Sequence, residues 1–432
     1  MLKKINLDKL IIFLIYFYPL FLIIGPAANN IFHIIILLFS GYIFFDKKIN
    51  LLVNQKIIIY SLLFLFLYSI VITILNENYL FLKNSIFFLK LISFILVLSF
   101  FVQNNIFEIK KFIIINFCIL SVVIIDTIFQ YKTGYNIMGY EIEPINKIRL
   151  TSFFKGEYVV GSFISKIFLP IIICVYFYFK NKKYRNVLFL LFLNLTVLTV
   201  FITGERSSLL ITLFSLFLSF LFINEIRKIF FYNFFIIIIL ISLIFTSSQQ
   251  LRDRYFHETF AVTLKLSNTQ SDKNIYNSHY GAIYLSSIEI IKENFWFGKG
   301  LRAYRIITCN PETRELMIKK IEKKTNHAQM ICSTHPHNYI LELLIDLGFV
   351  GLVIFLFIIY NSLKQIFYLK NLKKKISINK NIIISFGIQF LAMFWPITTH
   401  GSIFSSWNSS FIILNFCIFY SLLLLKDKVA AS

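Results

Sequence analysis

Apolar runs of roughly 15–22 residues recur along the chain, each about long enough to carry a helix across a ~30 Å hydrocarbon core. They predict about twelve membrane-spanning helices, over residues 10–24, 31–45, 57–75, 86–102, 112–129, 162–179, 187–202, 208–223, 229–245, 339–360, 382–397 and 411–425. The longest polar stretch, residues 246–338, separates the spans within 1–245 from those within 339–432. The predicted fold is an all-α polytopic membrane protein with one large loop. Within that loop Ile283, Tyr284, Ile288, Ile290, Ile291 and Phe295 recur at partly helical spacing and run into Trp296-Phe297-Gly298-Lys299-Gly300. The pattern predicts a short amphipathic helix resting on the membrane surface, followed by a glycine turn.

Charge gives the layout a direction. Basic residues gather in alternate interruptions: Lys3, Lys4 and Lys9, then Lys47 and Lys48, Lys110 and Lys111, residues 180–185, Arg227 and Lys228, residues 372–375, and Lys426 and Lys428. The positive-inside rule makes these cytoplasmic and both termini with them. Residues 25–30, 130–161, 204–207, 246–338 and 398–410 then face the other side. A net charge of +22 could suit nucleic acid, but lysines clustered between apolar runs are the mark of membrane loops, so that partner is excluded. With 58% hydrophobic and 15% charged residues and a mean hydropathy of +0.75, the chain is not an ordinary soluble protein. The first run has no small-residue cleavage site before Pro26, and is expected to remain as an anchor.

Cys118, Cys174 and Cys417 fall inside predicted spans, as small apolar fillers. Cys309 and Cys332 share the large loop, where a disulfide would fit an oxidising compartment and stabilise the loop by about 3 kcal/mol; two free thiols are the alternative. Lys90, Asp126, Lys166, Arg206, Glu342 and Asp346 fall in or next to spans, each near the non-cytoplasmic end. A charge in a span is costly, so this convergence marks that boundary as the place of chemistry. A secondary transporter would instead gather polar groups and broken helices near the midplane, often in two similar halves. The chain has no internal repeat, and Pro170 is the one clear proline break deep in a span.

At that boundary His335-Pro336-His337-Asn338 precedes the run that starts at Tyr339, which continues without a break past Ile359. Proline and asparagine are helix-start residues, so His337 stands at or beside a helix N-terminus. There the helix dipole favours an anion and keeps an imidazole neutral, the form able to accept a proton. The same pattern also suits histidines that only hydrogen-bond neighbouring loops. A His335–His337 metal pair has no thiolate or carboxylate cluster beside it in sequence. Arg206 stands in the tight turn Thr203-Gly204-Glu205-Arg206-Ser207-Ser208, and Arg302 and Arg305 follow the 298–300 turn. Arginine's planar fork suits phosphate oxygens, although each of these alone also suits a structural or headgroup-binding role.

These stretches resemble the O-antigen ligase and O-antigen polymerase superfamily of membrane glycosyltransferases. The likeness rests on residues 203–208, on Gly298-Lys299-Gly300-Leu301-Arg302, and on residues 335–344 with Gly348; residues 149–157 with Gly161 and Ser162 resemble a further motif. It spans roughly residues 149–360. The resemblance implies a GT-C type, inverting transfer of a glycan from undecaprenyl pyrophosphate, at the periplasmic face of a bacterial inner membrane. It implies that His337 takes the proton of an acceptor hydroxyl while Arg206 and Arg302 bind the departing pyrophosphate. Arg305, Arg149, Glu157, Asn338 and Asp126 are further candidates for binding or orientation, and His335, His327 and His400 are bystanders. No Asp-x-Asp motif occurs, so no metal or cofactor is expected. The acceptor would be a second lipid-linked repeat unit (a polymerase) or a lipid A core sugar (a ligase); residues 149–162 and the Gly-Glu-Arg turn are closer to the polymerase branch. Transfer to protein is a further variant. A flippase or transporter of lipid-linked sugars would share the substrate and the spans, and a non-catalytic lipid-binding assembly factor would share the surface.

Overall fold

The computed structural model describes residues 7–46, 49–142, 149–179, 182–263, 276–373, 378–396, 398–399 and 401–426. His400, Lys3, Lys4, Lys47, Lys48, Lys180, Lys374, Lys375 and Lys428 lie outside them. Every predicted span falls on a helix. In chain order these are α1 (Leu7–Tyr16), α2 (Tyr18–Ile24), α3 (Pro26–Asp46), α4 (Val53–Leu75), α5 (Ile86–Gln103), α6 (Ile109–Thr133), α7 (Val160–Tyr178), α8 (Lys182–Ile202), α9 (Arg206–Phe222) and α10 (Arg227–Ser247). The large loop holds α11 (Gln249–Arg252), a π-helical segment Asp253–Thr263, α12 (His279–Glu293), α13 (Ala303–Cys309) and α14 (Pro311–Ile321). After it come α15 (Tyr339–Asn371), α16 (Lys380–Ala392) and α17 (Ser406–Leu422).

Among the described residues nine helices are long and apolar enough to cross a membrane alone. The other expected spans are α1 with α2, bent by 62° at Phe17, and the shorter apolar helices α9 and α16. α7 and α17 are buried along their length and form the middle of the bundle, whereas α10 lies at its edge. Several polar side chains inside the bundle find partners on neighbouring helices, where lipid offers none: Asn29 donates to Ser410 Oγ at 2.8 Å, and Gln55 donates to the Tyr420 carbonyl at 2.9 Å. The loop carries a smaller core of its own. Ile283 and Ile290 of α12 pack there with Tyr304, Met317, Ile321 and Ile331, and Ile345 of α15 joins them. The amphipathic helix thus forms close to where its spacing put it, but its apolar face closes this second core. Beyond the end of the helix the rings of Phe295, Trp296 and Phe297 are left exposed.

α15 departs most from expectation, because it is not continuous. Gly348 has φ 65° and ψ −168°, outside the helical region, and the helix breaks there. Residues 295–300 insert at the break and take up backbone hydrogen bonds on both sides of it. A regular helix would pair Phe349 N–H with the Ile345 carbonyl and Val350 N–H with the Asp346 carbonyl. Instead Phe349 donates to Phe295 O (2.8 Å) and Val350 to Trp296 O (3.2 Å), while Lys299 donates to Ile345 O (2.8 Å) and Gly300 to Asp346 O (3.0 Å). Two lost bonds become four, and the Tyr68 hydroxyl of α4 lies within reach of both remaining carbonyls, Phe297 O at 3.0 Å and Leu347 O at 3.2 Å. Such close approach needs glycine on both sides: a Cβ on Gly298 would stand 2.5 Å from Gly348 N, and one on Gly348 2.4 Å from Trp296 O. The motif glycines at 298 and 348 are therefore two halves of one backbone junction.

Candidate active site

The turn between α8 and α9 is tied to the start of α7. Gly204 takes φ 70° and reverses the chain within three residues, leaving Glu205 as N-cap and Arg206 as first residue of α9. The Glu205 carboxylate accepts from the backbone N–H of Gly161 (2.6 Å) and Ser162 (2.9 Å) at the N-terminus of α7, and from the Ser208 hydroxyl (2.8 Å). A Cβ at position 161 would meet Thr203 Oγ1 at 2.6 Å, so glycine is what lets the turn seat. Burial pushes the Glu205 carboxyl up, and Ser208, the two backbone donors and Arg149 pull it back. Glu205 is thus a buried carboxyl at a helix N-terminus, and its hydrogen bonds lock the 203–208 motif to the 149–162 motif.

Around this turn arginines gather from separate segments. Arg206 donates to Thr259 Oγ1 at 3.0 Å and feels the charges of Arg254 and Arg149. Arg254, on the π-helical segment, donates to the Gly204 carbonyl at 3.1 Å and pairs with Glu258. Tyr255 beside it donates to Phe201 O at 2.8 Å and stacks on the Phe201 ring, which seats the segment on the turn. Arg149 lies over the Tyr158 ring at 4.5 Å. Arg149 and Arg206 both interact electrostatically with Tyr280, on the first turn of α12.

Tyr280 also touches the histidine segment. Its ring meets that of His337 edge-on, with centroids 5.4 Å apart. His337 stands one residue before the N-cap of α15, with φ 55°, a left-handed conformation that only surrounding contacts can hold in a side-chain-bearing residue. Its Nε2 is 3.2 Å from Ser333 Oγ, and the His335 ring lies 4.2 Å from its own. Arg302 has φ 62° and donates through Nη1 to Thr334 O at 3.3 Å, so it flanks the same segment. The backbone N–H groups of Arg302 and Ala303 donate to the Asp346 carboxylate at 3.0 and 3.2 Å, which makes Asp346 the anchor that aims Arg302. One turn earlier, buried Glu342 accepts from Ser402 Oγ and Ile403 N, pinning the 402–403 segment to α15.

The structure therefore brings His337, Arg302, Arg149 and Arg206 to one end of the bundle. Other candidates have different surroundings. Asn338 caps α15, accepting from Ile340 and Leu341 N–H, and donates to the Pro396 carbonyl. Asp126 is buried on α6, where it accepts from Ile137 N–H and Ser152 Oγ and holds the following loop. Glu157 and Arg305 are exposed. Cys309 and Cys332 are bonded, joining the end of α13 to the residues just before His337. Lys166 is buried against Asn408 Oδ1 at 2.7 Å and the Trp407 and Phe411 rings. Among the described residues no group of three or more His, Cys, Asp or Glu is placed to hold a metal.

Three residues of the site are not evident from sequence pattern: Glu205, Arg254 and Tyr280. Glu205 was visible inside the Gly-Glu-Arg turn, but its partners lie about forty residues away, at Gly161 and Ser162. Arg254 and Tyr280 follow no periodicity that singles them out.

No curated protein matches the chain. Residues 187–356 match the family model described as O-antigen ligase. The matched stretch runs from α8 into α15 and contains Arg206, Arg254, Tyr280, Arg302 and His337, while Arg149 lies before it. The likeness to the O-antigen ligase and polymerase superfamily, read first from short motifs, is thereby borne out over the part of this polytopic membrane protein that carries most of its site.

Proposed function

We propose that this protein is a membrane glycosyltransferase that moves a glycan from undecaprenyl pyrophosphate to a sugar hydroxyl, at the periplasmic face of a bacterial inner membrane. The observation that carries the reading is that Tyr280, whose ring meets that of His337, also lies within electrostatic reach of Arg149 and Arg206. In the reaction His337 accepts the proton of the acceptor hydroxyl, whose oxygen forms a bond to the anomeric carbon. The bond from that carbon to the pyrophosphate oxygen breaks, and the configuration inverts. The departing pyrophosphate carries the displaced electron pair, and the arginines stabilise its growing charge. Arg302, held beside the histidine segment, stabilises the same growing negative charge from the His337 side. A pyrophosphate is already a good leaving group, so no second carboxylic acid is needed.

The family model bears the ligase name, whereas residues 149–162 favour a polymerase, so acceptor choice is tested directly. Purified protein is incubated with a lipid-linked oligosaccharide alone, with lipid A core added in a second reaction and a chelator in a third. The expected result is a ladder of longer glycans without lipid A core that survives chelation. His337→Ala should lower turnover by a factor of about 10²–10⁴ while leaving donor binding nearly intact. Transfer only after adding lipid A core would make the protein a ligase. Lipid-linked sugar crossing vesicles without transfer, at an unchanged rate in His337→Ala, would make it a transporter.

A further inference from the structure

The turn that inserts at the break of α15 carries rings that have no part in the site. Trp296 and Phe297 are 60% and 62% exposed, and Phe295 stacks on Phe349, the first residue beyond the break. The Trp296 and Phe297 carbonyls accept hydrogen bonds within the junction, so the rings ride on a fixed backbone. Helix length places this turn in the membrane. Residues 349–371 of α15 number 23, as does α4, and 23 residues of helix cover about 34 Å, close to one hydrocarbon core. Between Asp346 and Lys364 α15 carries no charged side chain, and between Lys56 and Glu77 neither does α4. Both charge-free runs stop at the turn: at the end of α4, Asn78 donates to Lys299 O at 2.7 Å, and Leu301 N–H donates to Thr73 Oγ1 at 3.1 Å. Two helices of membrane length therefore end at one turn, and its exposed rings stand at that level.

What covers the rings follows from the surface they continue. Leu67, Val71 and Leu75 of α4 and Val353 and Leu356 of α15 are exposed apolar side chains within the spans, a surface suited to lipid. The rings extend it to the level where charged residues begin, and there Trp is favoured because its body is apolar and its indole N–H can reach the headgroups. We propose that Phe295-Trp296-Phe297 is a membrane-interface anchor whose partner is the headgroup layer of the leaflet on the His337 side, and that it fixes the depth at which the histidine half of the site stands. The mechanical link is short. Residues 339–347 reach about 14 Å from the break to the histidine segment, and residues 300–302 lead from the turn straight to Arg302. Anchoring itself stands apart from the transferase reading, whereas its effect on turnover rests on that reading.

The chain has three tryptophans, so Trp395→Phe with Trp407→Phe leaves Trp296 as the single reporter of depth. The full chain is reconstituted in phosphatidylcholine vesicles with bromine either near the head or near the end of the acyl chain. Bromine near the head should quench Trp296 the more strongly, and aqueous iodide should quench it little. Stronger quenching by iodide than by either bromolipid, or strongest quenching by bromine at the chain end, overturns the anchor. Should that background fail to fold, Trp296→Phe alone gives the same reading by difference, since it should remove the head-weighted part of the quenching. Transfer from a lipid-linked oligosaccharide is the second readout. Trp296→Ser with Phe297→Ser keeps the backbone bonds of the junction, and should lower transfer several-fold in vesicles while leaving it unchanged in detergent, where no leaflet sets a depth. Equal loss in both media would make the rings merely structural and overturn the depth setting. A wild-type chain that transfers nothing in either medium overturns the transferase reading, and the quenching of Trp296 then decides the anchor alone.

Discussion

The two halves of the site come together near Tyr280, and they are built by opposite means. Arg302 and His337 are fixed by main chain. Both take left-handed backbone conformations, Asp346 receives the N–H groups of Arg302 and Ala303, and residues 295–300 are woven into the break of α15. Arg149, Arg206 and Arg254 are instead long side chains drawn from a loop, a helix start and a π-helical segment, and their charges repel one another. Proton transfer needs atoms placed within a few tenths of an ångström, and backbone clamping supplies that. Binding an anion needs charge and donors in the right region, which flexible guanidinium groups supply and which like-charge crowding favours once the anion arrives.

If that division is right, arginines on the two sides differ in kind. Arg302→Ala should lower kcat by a factor of about 10²–10³ with little change in donor affinity, whereas Arg206→Ala should mainly weaken donor binding, by roughly tenfold. Equal effects on both constants in both variants would erase the distinction. The clamped side should also be the more fragile. A Cβ at Gly348 would press on backbone at 2.4–2.6 Å, so Gly348→Ala should cost at least ~3 kcal/mol and lower the thermal midpoint in detergent. Arg254→Ala, which cuts only a side chain, should leave that midpoint close to wild type.

The disulfide bears on the clamped side alone. Closing residues 309–332, it should contribute about 2–3 kcal/mol to the loop, and Cys309→Ser should raise proteolysis of α13 and α14 while sparing the bundle. The smallest effect concerns pH. Hydrogen bonds from Lys324 and Lys292 hold the Glu289 carboxyl below the usual carboxylate range, and Lys320 does the same for Glu293. Carboxyls depressed in the folded state add stability above their unfolded value, near pH 4.3, and lose it as pH falls through the folded value. These pairs are largely exposed, so acid below about pH 4 should loosen the loop slightly, and 1 M salt should mask the change; hydrogen exchange of α12 and α14 reads both.

Much of the fold was legible because the bilayer constrains it so strongly. A helix is the way a single apolar run satisfies its backbone in hydrocarbon, so the runs alone marked the nine helices that, among the described residues, are long enough to cross a membrane, and the shorter apolar α9 and α16 as well. The break in α15 was not legible. Gly348 sits in an apolar run that reads as continuous, and its conformation depends on residues 295–300, about fifty positions earlier. The surroundings of Asp126 were hidden for the same reason: a charge in a span advertises chemistry and anchoring alike, and only neighbouring donors such as Ile137 N–H and Ser152 Oγ distinguish them.

The sequence by itself determined that this is a polytopic helical membrane protein, and it marked His337, Arg206 and Arg302 as residues worth following. Hydrophobic run length and helix-start chemistry are local properties, and each is written in neighbouring residues. The tertiary structure alone decided that Glu205 binds the start of α7, that two glycines fifty residues apart form one junction, and that Tyr280 touches His337 within electrostatic reach of Arg149 and Arg206. Those are contacts between segments distant in the chain, fixed by how buried polar groups find partners when the bundle closes, and no local pattern records them.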